Sequence, residues 1–173
     1  MKFGDTSRGR IAVDAFAVLA RWVVGAVFLY MGLDKALHPV DFLKLLRQYD
    51  LTQSSLILNS IAAALPWFEV FCGLLLLAGV AVRGTSLALL IMLLPFTWVV
   101  LHRASLLEAA LKIPFCAVKF DCGCGGGVEF ICRKLLGNFL LLLLSAWLLA
   151  GRGRQLSLRF DLLKPSSQQR TSE

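Results

Sequence analysis

The sequence predicts an all-α integral membrane protein, a four-helix bundle with one short amphipathic helix on its outer surface. Of its 173 residues, 58% are hydrophobic and only 17% are charged, and the mean hydropathy is +0.74. Four apolar stretches are also long enough to cross a hydrocarbon core of about 30 Å, which takes about 20 helical residues. This composition is not typical of a soluble domain, so the membrane fold is the simplest interpretation.

The four predicted spans are long apolar runs that few charged residues interrupt. They cover residues 11–33, 56–82, 84–101 and 128–150. Asp14 and Arg21 lie within the first run and no small-residue cleavage site closes it, so we expect a retained span and not a cleaved signal. Gly84 is expected to form the tight turn between the second and third spans. In the fourth, Arg133 and Lys134 must extend to the interface.

An amphipathic segment separates the first two spans. Phe42, Leu45, Leu46 and Tyr49 recur at i, i+3, i+4 and i+7, as expected of a helix with one apolar face. Pro39 precedes it and disfavours helical continuation of the first span at the residue before it. This helix is either a lid over the bundle or a connector in the headgroup layer, and connectors of this kind are common.

The membrane domain is expected to lie between two tails. Residues 1–10 form a cytoplasmic tail, 11–151 the four-span domain with a cysteine loop at 102–133, and 152–173 a basic, partly disordered cytoplasmic tail. Arg8, Arg10, Arg152 and Arg154 flank the span ends, and an even number of spans places both tails on one side. The positive-inside rule therefore predicts a multi-pass protein of the bacterial inner membrane with both tails in the cytoplasm.

The charge of the chain is consistent with lipid contact. The formal net charge is +7, and basic residues near span ends contact anionic lipid. No array of basic and aromatic residues suggests binding to nucleic acid. The predicted partners are therefore membrane lipid and other proteins.

Three polar residues inside the predicted spans are costly in lipid and should face a partner or a cavity. Counting at about 1.5 Å per residue puts Arg21 and Glu69 within about 10 Å of the same depth, so we consider an ion pair that fixes helix register. The alternative is that one of them contacts a quinone headgroup or relays a proton. The sequence specifies no cofactor beyond this quinone candidate. Asn138 is expected to form a helix–helix hydrogen bond, and Cys72 to be a buried apolar residue.

Four of the five cysteines cluster in the predicted outer loop, as Cys116, Cys122, Cys124 and Cys132 in the pattern C-x5-C-x-C-x7-C. In a dithiol relay, Cys122 and Cys124 form the catalytic pair, and Cys116 and Cys132 form a second redox pair. Alternatively, the four thiolates hold a metal, or disulfides only staple the loop. The spacing matches neither the paired zinc pattern nor common ferredoxin runs, so no metal site is assigned. Glycines at 123 and 125–127 keep the segment pliable, which favours exchange.

Four segments together carry a resemblance to a known family. They are RWVVGAVFLYMGLDK at 21–35, LPWFEVFCGL at 65–74, DCGCG at 121–125, and the GN pair at 137–138 that precedes an apolar run. With these segments in this order, the chain resembles the MauE branch of the DoxX-like membrane proteins over residues 21–149. Two positions depart from the family pattern: Gly125, where members often have an aromatic residue, and Gly137, where members often have arginine.

The resemblance implies a four-helix bundle and thiol redox work outside the inner membrane. Members are partners of thioredoxin-like proteins in the maturation of disulfide-rich enzymes such as methylamine dehydrogenase. We therefore predict a possible thiol-disulfide oxidoreductase that exchanges electrons with an extracytoplasmic thioredoxin-like or disulfide-rich protein through Cys122 and Cys124. The alternatives are a non-catalytic subunit that anchors or assembles a redox enzyme and, third, a carrier of a soft metal ion.

Overall fold

The computed structural model describes the backbone of residues 5–49, 54–121 and 128–150, and the side chains of residues 13–49, 54–120 and 128–150. The helices are α1 (Asp5–Leu37), α2 (Pro39–Gln48), α3 (Ser55–Ala78), α4 (Val82–Leu111) and α5 (Ile131–Leu149), and the strands are β1 (Lys119–Asp121) and β2 (Val128–Phe130). In the described residues, α1, α3, α4 and α5 are long and apolar enough to cross a membrane. The predicted all-α membrane bundle with a short amphipathic helix is confirmed.

Several helices extend further than the apolar runs. α1 begins at Asp5 and continues to Leu37, and α4 continues to Leu111. Charged residues such as Lys35 and Arg103 lower the hydropathy but favour helix, so an apolar run ends before its helix does. Residues 5–10, which we had assigned to the tail, and residues 102–111, which we had assigned to the cysteine loop, are therefore helical.

Gly79 forms the turn between α3 and α4. Our expectation that Gly84 forms this turn was wrong. α3 ends at Ala78, and Gly79 adopts a φ of 75° while its N–H bonds to carbonyls of the last turn. Glycine takes this left-handed conformation without the penalty that a Cβ imposes. Ala81 follows with a φ of 47°, and α4 begins immediately afterwards, so that Gly84 lies inside a helix.

α1 and α3 approach each other closely at several glycines. A Cβ added at Gly73 would lie 2.8 Å from the carbonyl oxygen of Gly25, and one added at Gly32 would lie 2.8 Å from the carbonyl oxygen of Pro66. Both distances are too short for any real Cβ, so the two backbones touch because these positions are glycine. Small residues allow this kind of approach between membrane helices, where van der Waals packing drives association.

α4 packs mainly on α5, and two hydrogen bonds link these helices at different depths. The side-chain amide nitrogen of Asn138 donates to the hydroxyl of Thr97 at 3.2 Å. The Nε of Arg83 donates to the carbonyl oxygen of Leu149 at 3.2 Å, at the end of α5. The expected role of Asn138 in a helix–helix hydrogen bond is confirmed.

α2 packs on the N-terminal end of α3. Its apolar face buries Phe42 and Leu46 against Leu58 and Ala62. Asp41 and Lys44 lie on the opposite, exposed face and form an ion pair of 2.9 Å. Because its apolar face is buried against protein, α2 covers the bundle as the lid interpretation requires.

Candidate functional site

A disulfide joins Cys116 to Cys132 at the end of the α4–α5 pair where α4 ends and α5 begins. Cys116 lies in a 3₁₀ turn, Phe115–Ala117, which follows α4, and Cys132 lies in the first turn of α5. The two Cα atoms are 5.1 Å apart, within the usual range for a disulfide. This is the second pair of the predicted relay, now observed as a bonded pair. Its redox role stays a prediction.

A two-stranded hairpin lies next to this disulfide, and the remaining two cysteines lie between its strands in the sequence. β1 and β2 are antiparallel, with Lys119 opposite Phe130 and Asp121 opposite Val128. At the base, the N–H of Ile131 donates to the carbonyl of Val118 at 3.1 Å, and both of these side chains are buried. The chain therefore leaves β1 and enters β2 at paired positions.

Cys122 and Cys124, the predicted catalytic pair, lie outside the described residues. The segment that contains them is residues 122–127, between the paired ends of β1 and β2. Cys122 is covalently attached to Asp121, the last residue of β1. Their assignment as the exchanging thiols stays a prediction.

Two charged side chains stabilise the base of the hairpin. The ammonium of Lys119 lies 4.1 Å from the centroid of the Phe130 ring, across the two strands, which is a favourable cation–π distance. Lys134 in α5 lies 3.7 Å from the carboxylate of Glu129. The first contact links the two strands to each other, and the second contact and the disulfide hold the hairpin against the start of α5.

Glu69 forms a buried ion pair with Lys35, and not with Arg21 as we had considered. The Nζ of Lys35 lies 2.6 Å and 2.7 Å from the two carboxylate oxygens of Glu69. Both side chains are only 4% exposed. The ammonium also lies 5.5 Å from the ring centroid of Phe42 and 6.0 Å from that of Phe96. One cation thus connects α1, α2, α3 and α4.

The register of α1 against α3 explains the different partner. Gly32 lies against Glu69, and one helical turn further along α1 comes Lys35. Because the helices are antiparallel, Arg21 lies at the opposite end of α3, where a Cβ on Gly79 would be 2.5 Å from its Nη1. Our depth estimate was wrong because it assumed that α1 ends at the same depth at which α3 begins. Gly32 instead lies against Pro66, so that α3, which begins at Ser55, extends past the end of α1 at Leu37.

Lys35, Phe42 and Phe96 are the site residues that sequence reasoning missed. Lys35 follows the apolar run, which is the usual place of an interfacial cation. The signal that could have identified it is the spacing of Gly25 and Gly32, which are two helical turns apart and therefore lie on one face of α1. Small residues on one face mark the side that contacts a neighbouring membrane helix, here α3. The hypothesis that Glu69 contacts a quinone headgroup stays a prediction, and both its oxygens are bound by Lys35 here.

The bonding state of the three described cysteines limits which of them can bind a metal or exchange electrons. Cys116 and Cys132 are bonded to each other, so in this state neither is a thiolate that could bind a metal. In the residues that the structure describes, no group of three or more histidine, cysteine, aspartate or glutamate side chains could hold a metal ion. Cys72 is free and buried in α3, as expected. The Cys116–Cys132 bond itself can accept two electrons and two protons.

Comparison with known families covers most of the chain. The family model described as methylamine utilisation protein MauE matches residues 13–151. That range contains the Lys35–Glu69 pair, the hairpin and the four clustered cysteines. No curated protein and no solved structure matches the chain.

Proposed function

The chain belongs to the MauE family of methylamine utilisation proteins, and we propose that it is a membrane thiol–disulfide redox protein of that system. It exchanges electrons with an extracytoplasmic thioredoxin-like or disulfide-rich protein through Cys122 and Cys124. The observation that carries this proposal is the Cys116–Cys132 disulfide at the base of the hairpin that bears the other two cysteines. The Cys116–Cys132 disulfide can act as the electron acceptor for a reduced Cys122–Cys124 pair.

The proposed exchange proceeds in two balanced steps. A thiolate of the partner attacks the Cys122–Cys124 disulfide, forms a mixed disulfide and releases the other cysteine as a thiolate. The partner's second thiolate then attacks the mixed disulfide, so that the partner leaves with a disulfide and Cys122 and Cys124 become a dithiol. Each step is reversible, and the same atoms serve the opposite direction.

The Cys116–Cys132 disulfide is a suitable acceptor for the resulting dithiol. A thiolate of Cys122 or Cys124 attacks it, and completion of the exchange leaves a Cys122–Cys124 disulfide and a Cys116–Cys132 dithiol. β1 has three residues, which span about 10 Å at about 3.4 Å each. Residues 122–127 extend by up to about 3.5 Å per residue. Chain length therefore allows the two pairs to meet.

The disulfide also supports the proposed orientation. Disulfides persist in oxidising compartments such as the bacterial periplasm and are rare in the cytosol. Cys116 follows α4 and Cys132 lies in the first turn of α5, so this end of the bundle is assigned to the extracytoplasmic side. Both tails of the four-span chain are then cytoplasmic, and the membrane is the bacterial inner membrane.

A non-catalytic anchoring or assembly subunit is the second candidate function. The Cys116–Cys132 bond connects residues that are 16 apart in sequence and ties α4 to α5, which is also what a structural staple does. In that case the thiols never cycle. The two functions therefore differ in whether Cys122 and Cys124 are needed: a redox protein requires both thiols, whereas an anchoring or assembly subunit does not.

Trapping of the partner tests the redox proposal. Cys124→Ser should accumulate a mixed disulfide between Cys122 and a soluble thiol protein, since the resolving thiol is gone, and either single variant should abolish disulfide transfer. Cys72→Ala removes a thiol buried in α3 and is the matched control, with transfer unchanged. Full transfer by both single variants would refute the redox role and leave the assembly subunit in its place.

The orientation has its own test. After reduction of intact cells, a membrane-impermeant thiol reagent should label Cys122 from outside. Cys72 should stay unlabelled, because it is buried in α3. Labelling of Cys122 only in inverted vesicles would reverse the proposed orientation.

A further inference from the structure

α2 contacts both the buried ion pair and the region of the disulfide. Its Phe42 ring lies 5.5 Å from the ammonium of Lys35. At its other end, Tyr49 packs against a buried cluster that also contacts Cys132. We call this the outer cluster, and its buried members are Met31, Val100, Ala104, Val118 and Ile131. α2 therefore spans the outer end of the bundle from the ion pair to the disulfide.

The outer cluster depends on the disulfide for part of its rigidity. Val118 follows the 3₁₀ turn that contains Cys116, and Ile131 immediately precedes Cys132. The disulfide thus ties together the two chain segments that contribute these fully buried side chains. Reduction replaces that covalent tie with two thiols, and the segments are then held by the pairing of β1 with β2, by the hydrogen bond between Ile131 and Val118 and by apolar contacts.

The buried Lys35–Glu69 ion pair makes the closure of α2 over the bundle sensitive to reduction of the disulfide. Lys35 and Glu69 are charged groups kept from water, and burial of charges opposes their mutual attraction. Opening of α2 would return water to them, and this hydration offsets part of the free energy that exposure of Phe42 and Leu46 costs. A lid with opposing terms of this kind responds to a modest change at one of its supports.

From the packing of α2 we infer that this helix is a redox-sensitive lid, closed when Cys116 and Cys132 form a disulfide and released from Lys35–Glu69 when they are reduced. The inference rests on the proposed redox function for its biological use, since that function supplies the electrons. The lid itself is a physical property of the bundle and is testable without any partner protein. Tyr49 is the side chain that transmits the change from the outer cluster to α2.

The test uses the full chain in lipid nanodiscs with Cys122→Ser and Cys124→Ser, so that only the Cys116–Cys132 disulfide is reducible. A water-soluble phosphine reduces it, with water supplying two protons and the oxygen of the phosphine oxide, and thiol mass labelling verifies completion. On reduction, amide hydrogen exchange of residues 42–48 should accelerate about tenfold, equivalent to about 1.4 kcal/mol. Exchange in residues 86–93 of α4, which lie away from the outer cluster, should not change.

Chemical modification of lysines provides the second readout. Acylation of Lys35 by an amine-reactive reagent should rise on reduction, because the lid no longer excludes it. Lys44 is 66% exposed on α2 itself and is the internal control, with its acylation unchanged. Tyr49→Ala should remove the difference between the oxidised and reduced protein in both readouts.

Either readout alone can overturn the lid. Complete reduction with no change in α2 exchange or in Lys35 acylation would refute it. A Cys116→Ser and Cys132→Ser variant provides a permanently unbonded form, and it should match the reduced protein. Because disulfide transfer by Cys122 and Cys124 is not measured here, failure of the lid and failure of the proposed exchange are distinguishable.

Discussion

The α1–α3 pair and the α4–α5 pair are held together in different ways. α1 and α3 touch backbone to backbone at glycines and share the buried ion pair. α4 and α5 are linked by two hydrogen bonds and, where α4 ends and α5 begins, by the disulfide. Redox conditions leave the glycine contacts and the ion pair of the first pair unchanged, whereas they can break the disulfide of the second. The proposed redox function therefore places the scaffold and the redox chemistry in different halves of one bundle.

Removal of the Glu69 charge should break the scaffold half with the largest effect. Glu69→Gln leaves the Lys35 ammonium buried without a counter-charge, which costs about 3–5 kcal/mol in a buried pair. We expect lower folded yield and a lower unfolding midpoint in detergent. Asp41→Asn is the matched control, since the Asp41–Lys44 pair lies on the surface and should contribute little.

A double variant tests whether the loss comes from the unpaired charge. Lys35→Met in the Glu69→Gln background removes the ammonium and keeps an apolar side chain, so it should recover part of the folded yield. Arg21→Gln in the same background should recover none. Recovery by Arg21→Gln instead would show that the ion-pair assignment is wrong.

The ion pair shows where sequence reasoning reaches its limit. Glu69 is recognisable as a buried polar residue because a charge in an apolar run is conspicuous. Its partner is not recognisable, because the choice between Arg21 and Lys35 depends on the register of α1 against α3. Gly25 and Gly32 mark the face of α1 that contacts α3, but the register depends on which α3 residue each glycine meets, such as Gly73 against Gly25, and a tertiary pairing of this kind is not written in either helix alone.

Gly73→Ala should loosen the same half with an intermediate effect. The new Cβ would lie 2.8 Å from the backbone nitrogen of Leu29 as well as 2.8 Å from the carbonyl of Gly25. Backbone atoms cannot rotate away, so the helices must separate, and overpacking of this kind costs about 1–3 kcal/mol. The unfolding midpoint in detergent should fall accordingly.

Gly137→Ala is the control for that prediction. It lies in α5 with no atom within 4 Å of an added Cβ, and alanine favours helix over glycine by about 0.5–1 kcal/mol. Its midpoint should therefore stay level or rise. Equal losses for both variants would mean that close approach of α1 and α3 does not determine stability.

The cysteine region was predictable in part. The clustering of Cys116, Cys122, Cys124 and Cys132 is visible in the sequence, and a pairing of Cys116 with Cys132 is one of the arrangements that it allows. The hairpin was not predicted, because strands of three residues carry too little alternation to be recognised. Likewise α4 was ended too early, since falling hydropathy marks the membrane boundary and not the end of a helix.

Loss of the Thr97–Asn138 hydrogen bond should have the smallest effect, in the half that contains the disulfide. Thr97→Val keeps the shape of the side chain and removes the hydroxyl that accepts from Asn138 at 3.2 Å. Hydrogen bonds between membrane helices contribute about 0.6 kcal/mol on average, with a maximum of about 1.7 kcal/mol. The effect should stay near that average while the disulfide is intact, because the covalent tie holds α4 near α5 in the unfolded chain as well. Measuring unfolding of Thr97→Val with and without reductant, against the unsubstituted chain under the same two conditions, gives the coupling between the bond and the disulfide. A larger loss of unfolding free energy in the reduced protein would show that the hydrogen bond and the disulfide stabilise the same α4–α5 contact. Equal losses would show that they act independently.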